Sequence, residues 1–134
     1  MPPPLPDVMP VSYRIVKSLD LVHTRWVGKV TFEEALEHNE SLRSDPEFHP
    51  EMRQLSDATA ASSAASGEEI RGLARRSAFG ARSRRAIVVS DDDTFAVSRM
   101  YEAQATNAGT VRIFRCRTAA LEWLDIESTE LPEG

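Results

Sequence analysis

The sequence has little of the chemistry from which most catalytic and metal sites are built. It contains a single cysteine, Cys116, which excludes an internal disulfide and a cysteine-based metal site. Its histidines, His23, His38 and His49, show no pair with the i, i+4 spacing of a helical metal site. No GxSxG, P-loop or GxGxxG motif occurs. We therefore expect no metal and no cofactor, and predict that the protein is not an enzyme.

Long apolar runs are also missing, and none approaches the ~20 residues that span a bilayer. The opening MPPPLPDVMP has neither the basic residues nor the apolar stretch of a secretory signal, so we expect a cytoplasmic protein. The predicted organisation is a flexible Pro-rich lead-in over residues 1–10, a folded domain over 11–126 and a flexible acidic tail over 127–134. The net charge of -5 argues against nucleic acid as a partner.

Strand and helix patterns alternate along the rest of the chain. Strand patterns fall at residues 13–17, 21–27, 52–57, 86–90 and 111–114. Helices are predicted to begin at the capping residues Thr31, Ser66, Asp91 and Thr118. The first two strands are close enough to form an antiparallel hairpin, and the alternation that follows implies parallel pairing. We predict a single-domain α/β fold, with a mixed sheet of about five strands and about four helices.

Two of these elements show how side chains divide between faces. On the second strand, alternation places Thr24 and Trp26 on one face and His23 and Arg25 on the other. The first helix has an inner stripe at helical spacing, formed by Phe32, Ala35, Leu36, Asn39 and Leu42. Asn39 is the polar member of this otherwise apolar stripe.

The candidate functional region runs from Leu55 to Phe79. Its Ala/Ser/Thr-rich part is predicted to be a loop over residues 57–67, leading into a helix that ends near Phe79. Ser66 and Glu69 fit a capping box at the start of that helix. A phosphate on Ser66 would meet the unpaired amides of a helix N-terminus, whereas the alternative is that Ser66 only caps the helix. Three neighbours belong to the same candidate phospho-acceptor or anion site: Ser62, Ser63 and Gly67.

Arginine is concentrated immediately after this site. Residues 70–90 contain no acid and six arginines, at positions 71, 75, 76, 82, 84 and 85. Arg71, Arg75 and Arg82 lie along the outer stripe of the predicted helix if the helix extends that far. Such a face suits a phosphate, an acidic protein surface or anionic lipid, and the alternative is an ordinary solvated surface. We predict a protein partner here.

Several segments, taken in order, resemble a known family. They are Trp26-Val27-Gly28, the break at residues 45–48 (DPEF), the helix SGEEIRGLA, the segment RRAIVVSDDDTFAVSRMYEAQA and the ending VRIFRCRTAALEWL. Together, over residues 11–126, they are similar to the SpoIIAA-like (STAS/SEC14-domain) proteins of bacteria. The resemblance implies a small STAS-like α/β fold. The better-known relatives are regulators that bind a partner kinase and are phosphorylated on a serine where the helix after the third strand begins. Their Asp-Ser-Ser-Gly motif is replaced here by Ala64-Ala65-Ser66-Gly67, which lacks the aspartate.

Two functions follow from these observations. The first is a non-enzymatic regulatory or protein-interaction domain that acts through residues 57–67 and the arginine-rich helix. The second, suggested by the SEC14 part of the family, is a carrier of a small apolar or lipid-like ligand in a pocket between the sheet and its helices. The predicted pocket lining is Trp26, Phe79, Phe95, Met100 and Tyr101, for which the alternative is ordinary core packing. A carrier requires an enclosed apolar pocket of at least ~300 Å³. Exposed strand edges also allow pairing between two copies, so a homodimer is a further alternative.

Overall fold

The structure, a computed structural model, describes residues 10–63, 66–106 and 109–131. Within these ranges one sheet contains, in spatial order, β1 (Val11–Val16), β2 (Leu21–Val30), β3 (Arg53–Ser63), β4 (Arg84–Val88) and β5 (Thr110–Phe114). β1 pairs antiparallel with β2, and every later neighbour pairs in parallel. The helices are α1 (Phe32–Ser44), α2 (Gly67–Arg75), α3 (Asp92–Gln104) and α4 (Arg117–Trp123). The predicted mixed sheet with an N-terminal hairpin is confirmed.

The helices pack on both faces of the sheet. α4 covers one face, where Leu121 and Leu124 pack with Leu55 and Val88. α1, α2 and α3 cover the opposite face, on which Leu42 of α1 packs in the same cluster as Val22. In the parts of the chain that the structure describes, no helix combines the length and apolar character that a membrane crossing requires.

The core extends past the predicted domain end at residue 126. Leu131 is only 1% exposed and packs with Leu19, Leu121 and Leu124. The Arg117 guanidinium donates a hydrogen bond to the carbonyl oxygen of Leu131. Burial of the Leu131 side chain and the hydrogen bond from Arg117 therefore attach the end of the described acidic segment to the core.

Side-chain caps begin three of the helices as the sequence predicts. Thr31 and Glu34 form a capping box on α1, with hydrogen bonds of 3.2 and 2.8 Å. Ser66 and Glu69 form a second box on α2, and the Asp91 carboxylate accepts from the Thr94 amide on α3. The predicted start of the last helix at Thr118 is close, since that helix begins at Arg117.

The prediction of a loop over residues 57–67 is wrong for most of its length. β3 continues as a strand to Ser63, because β2 is also long and offers it a parallel partner. The last residues that pair are Val30 of β2 and Ser63 of β3. Beyond Asp57 the strand leaves β4, and side chains near the start of α3 bind its carbonyl groups instead. The Ser90 hydroxyl donates to the Thr59 carbonyl at 2.7 Å, and the Thr94 hydroxyl donates to the Ala61 carbonyl at 3.3 Å. Residues 64 and 65 lie outside the described ranges.

The second helix is shorter than predicted. α2 ends at Arg75, and the Arg43 guanidinium donates to the carbonyl oxygen of the next residue, Arg76. The chain then turns inward so that Ala78 and Phe79 enter the core, where Phe79 packs edge-on against Phe48 with ring centroids 5.3 Å apart. Burial of these two side chains outside the helix explains why the helical pattern stops before Phe79.

Candidate functional site

A cavity of about 160 Å³ lies between the sheet and helices α1, α2 and α3, near the carboxyl ends of β2, β3 and β4. We call it the central cavity. Its apolar wall includes Trp26, Ala35, Ile70, Leu73, Ile87 and Val97. Its polar wall includes His38, Asn39, Gln54, Ser56, Arg85, Ser98 and Tyr101. The cavity is partly open to solvent and is smaller than the ~300 Å³ expected of a carrier for a drug-sized or lipid-sized ligand.

A chain of hydrogen bonds crosses the floor of the cavity. Arg85 Nε donates to Gln54 Oε1 at 3.0 Å, and Gln54 Nε2 donates to Thr24 Oγ1 at 3.0 Å. Thr24 Oγ1 lies 3.2 Å from His38 Nε2. Because the Thr24 oxygen already accepts from Gln54, its own hydrogen is placed to bond the histidine nitrogen. The chain therefore ties α1 to three strands of the sheet.

His38 is neutral at physiological pH. Burial, and then the positive charge of Arg85, lower its pKa to about 4. A neutral imidazole can accept a hydrogen bond at Nε2, which agrees with the position of the Thr24 hydroxyl. We interpret His38 as a fixed, uncharged part of the cavity wall.

Three polar side chains of the cavity wall have no hydrogen-bond partner among the described residues. Asn39 is 8% exposed, Ser56 is 4% exposed and Ser98 is 8% exposed. Among the same residues, every side-chain nitrogen or oxygen that is sealed from solvent has a partner. The amide and two hydroxyl groups therefore meet the space of the cavity, where a ligand or water must satisfy them.

The electrostatic character of the cavity is positive. Arg85 is 6% exposed, and its guanidinium lies 4.4 Å from the ring centroid of Phe79 and 5.3 Å from that of Tyr101. No aspartate or glutamate is among the described residues of the wall. A positive wall favours the electronegative end of a ligand over an amine.

The predicted pocket residues divide into two groups. Trp26 and Tyr101 line the central cavity. Phe79, Phe95 and Met100 do not, and the prediction is corrected for these three. Phe79 is in the core against Phe48, and the Phe95 ring packs against the Arg115 guanidinium, 4.5 Å from its ring centroid. Met100 is 45% exposed on α3, with its terminal methyl group near Gly67.

The predicted serine site is spread along the end of β3 and the start of α2. Ser62 lines the central cavity, whereas the side chain of Ser63 lies outside the described part of the structure. The Ser66 hydroxyl accepts from the Glu69 amide at 3.2 Å and therefore acts as a helix cap. Gly67 is the first residue of α2, where a Cβ atom would lie 3.2 Å from the terminal methyl of Met100. Among the described side chains of this set, Ser62 alone lines the cavity.

The arginine cluster does not form one face. Arg71 and Arg75 are exposed on α2, but Arg82 lies in the turn before β4, because the helix ends at Arg75. Arg84 pairs with Asp125 at 3.1 Å. Arg85 points to the other side of β4, into the interior. The prediction of Arg82 on the helix is therefore wrong, and the pair of Arg71 and Arg75 remains.

Arg85, Asn39 and Ser98 were not among the predicted site residues. The sequence held one signal for Asn39, since it interrupts the apolar stripe of α1. Arg85 appeared only as one of six arginines, and nothing local distinguishes the buried member from the exposed ones.

Neither protein-family models nor curated proteins give a match to the chain. Among solved structures, it is similar to an uncharacterised protein of the DUF3478 family with a SpoIIAA-like fold from Shewanella loihica PV-4. The two chains are 22% identical, their TM-score is 0.59, and the match covers 89% of this chain and 97% of the other. This likeness shows that the chain has a SpoIIAA-like fold, which confirms the fold implied by the sequence resemblance.

Proposed function

We propose that the protein is a non-enzymatic binding domain of the STAS-like class, and that the central cavity holds a small ligand with an apolar body and an electronegative end. The observation that supports this most directly is the set of three unpartnered polar side chains, Asn39, Ser56 and Ser98. Each is more than nine-tenths buried, and its polar group opens onto the cavity, where a ligand can satisfy it.

The size of the cavity limits the ligand. A cavity of about 150 Å³ in another protein holds a benzene molecule. The central cavity, at about 160 Å³, therefore suits a small aromatic or short branched compound rather than a lipid chain. This narrows the carrier hypothesis to a smaller ligand than the sequence suggested.

The chemistry of the wall favours a carboxylate as the electronegative end. Asn39 and the two serines supply donors, and the nearby Arg85 guanidinium supplies a positive potential, which together with the larger effect of burial lowers the pKa of His38. The existing contacts hold His38 against Thr24, and hold Arg85 against Gln54 and two aromatic rings. These contacts suit recognition, in which the wall groups stay fixed, better than proton transfer.

Benzoate and benzylamine are matched probes for this proposal, because they share the ring and differ in the charge of the polar end. We expect benzoate to shift the backbone amide resonances of residues on the cavity wall, and benzylamine to have no such effect. Asn39→Leu should abolish the benzoate shifts, since it removes a donor and fills space. Ser41→Leu, on the exposed side of α1, should leave them unchanged. Equal benzoate binding by both variants would contradict the proposal.

A second candidate function is recognition of an acidic protein partner by α2. Arg71 and Arg75 stand one turn apart on the exposed side of the helix, and neither has an ion pair within the described ranges. A pull-down from native lysate should lose the partner with Arg71→Glu/Arg75→Glu and retain it with Lys29→Glu/Arg99→Glu, which makes the same charge change elsewhere. Equal recovery with both variants would refute this role. Mass spectrometry of the native protein tests the associated phosphorylation at Ser66.

A further inference from the structure

The sheet face that carries α4 is covered only in part. α4 packs over β4 and β5, and the portion of the same face formed by β1, β2 and the middle of β3 borders a groove of about 430 Å³. Its wall includes Ser12, Arg14, His23, Arg25, Asp57 and Arg117. We call it the basic groove. It lies on the opposite side of the sheet from the central cavity.

Strand pairing gathers the charges of this groove. Arg14 of β1 stands opposite His23 of β2, and Arg25 of β2 stands opposite Ser12. Arg14 and Arg25 are thus diagonal neighbours on one face of an antiparallel pair, and such positions lie about 7–8 Å apart. Both are exposed, and within the described ranges neither side chain has an ion pair or hydrogen bond. Two arginine side chains therefore extend from neighbouring positions on one sheet face and are available to a ligand.

The remaining charges leave a positive excess. Arg117 reaches the groove from the start of α4, where its guanidinium is held by the carbonyl oxygen of Leu131. Asp57 pairs in register with Arg25, but its carboxylate accepts from the amide of Thr59 at 3.0 Å and from the Thr59 hydroxyl at 2.6 Å. Arginines outnumber acids among the residues of the groove wall, and Arg14 and Arg25 are the two that are exposed. Partial burial, followed by Arg117 and Arg14, lowers the pKa of His23, as expected in a positive field.

We propose that the basic groove binds a small soluble phosphate ester, with Arg14 and Arg25 as the contacting residues. A phosphate monoester carries about 1.5 to 2 negative charges at pH 7, which the two exposed guanidinium groups can offset. The planar guanidinium presents paired donors that fit phosphate oxygens. The groove is concave and has the volume of small-molecule sites, about 300–1,000 Å³, whereas a protein partner needs a wider surface.

The test uses glycerol 3-phosphate as the probe and follows binding by NMR on the whole protein. Arg14→Gln/Arg25→Gln should weaken binding about tenfold or more, since it removes two charged donors. Lys29→Gln/Arg99→Gln removes the same charge from exposed positions outside both proposed binding surfaces and should bind like the wild-type protein. Equal weakening by both variants would show a response to net charge alone and would overturn the proposal.

His23 gives a second readout. Its ring faces Arg14, Arg25, Asp57 and Arg117, so a bound dianion should raise its pKa by offsetting the arginines. In Arg14→Gln/Arg25→Gln the pKa should already be higher and should not move when the probe is added. If saturating glycerol 3-phosphate leaves the pKa of His23 unchanged in the wild-type protein, the proposal is overturned.

Two further probes separate the phosphate ester from other anions. Vesicles containing phosphatidic acid present a related phosphate on a lipid, and hexaglutamate presents acidic peptide. Binding of either one through Arg14 and Arg25, without binding of glycerol 3-phosphate, would overturn the proposal. Preference for glycerol 3-phosphate over both would support it.

Discussion

Replacement of Asn39 by leucine should make the protein more stable and remove its ligand. Asn39 lies on α1 with its side chain toward the central cavity, is 8% exposed and has no hydrogen-bond partner among the described residues. Leucine is larger than asparagine and fills part of the cavity, and burial of its side chain stabilises the folded state by about 1–2 kcal/mol. Leucine also has the higher helix propensity, by a few tenths of a kcal/mol. We expect a total gain of about 2 kcal/mol, which for a domain of this size raises Tm by about 8 °C.

Chemical denaturation and calorimetry of Asn39→Leu test this expectation, with Ser41→Leu as the matched control. Ser41 is exposed on the same helix, so leucine there changes the helix propensity without changing the cavity. The gain at residue 39 should exceed the gain at residue 41 by at least ~1 kcal/mol. A gain no larger than that of the control would refute the argument, because it would mean that leucine at residue 39 does not bury its side chain in the cavity.

Two further predictions concern stability. The pKa of His38 in the folded protein is about 4, against an ordinary value of 6.5, so the unfolded chain binds more protons between these values. The unfolding free energy should therefore fall by about 3 kcal/mol as the pH falls from 6.5 to 4, and should not change through this group above pH 6.5. Denaturation at a series of pH values should show that the unfolding free energy depends less on pH in His38→Gln than in the wild-type protein. An equal pH dependence in both proteins would mean that groups other than His38 cause it. Gly109 has φ +94°, and an added Cβ would meet the Ser83 carbonyl oxygen, so Gly109→Ala should cost roughly 2 kcal/mol or more. Gly28→Ala has φ +70° but open space around the Cβ and should cost only about 1 kcal/mol; equal costs would show that the Ser83 contact has no effect.

The parts of the fold that could be predicted are those that depend on local patterns. The hairpin, the capping residues Thr31, Ser66 and Asp91, and the alternation along β2 all follow from spacing within a few residues. The extension of β3 to Ser63 could not be predicted in this way. Its sequence DATAASS has weak strand propensity, and it is a strand because β2 offers a long partner that is distant in the chain.

The arginines show the same limit at the candidate site. Six arginines lie within one stretch that contains no acid, and this pattern predicts a single basic surface. The structure separates them because α2 ends at Arg75 and β4 then turns successive side chains to opposite faces. Arg85 consequently enters the core above Phe79, while Arg84 pairs with Asp125 at the surface. Where a helix ends and a strand begins depends on tertiary packing, so composition alone cannot assign each arginine to a face.

The alternation of strand side chains makes the two proposed sites independently testable. On β2, Thr24 belongs to the hydrogen-bonded floor of the central cavity, and the next residue, Arg25, belongs to the basic groove. On β3, Ser56 meets the cavity and Asp57 meets the groove. Because adjacent residues point to opposite faces, a substitution in the groove leaves the cavity wall in place. Arg14→Gln/Arg25→Gln should therefore retain benzoate binding, and Asn39→Leu should retain glycerol 3-phosphate binding. Loss of both ligands in either variant would contradict the independence of the two sites.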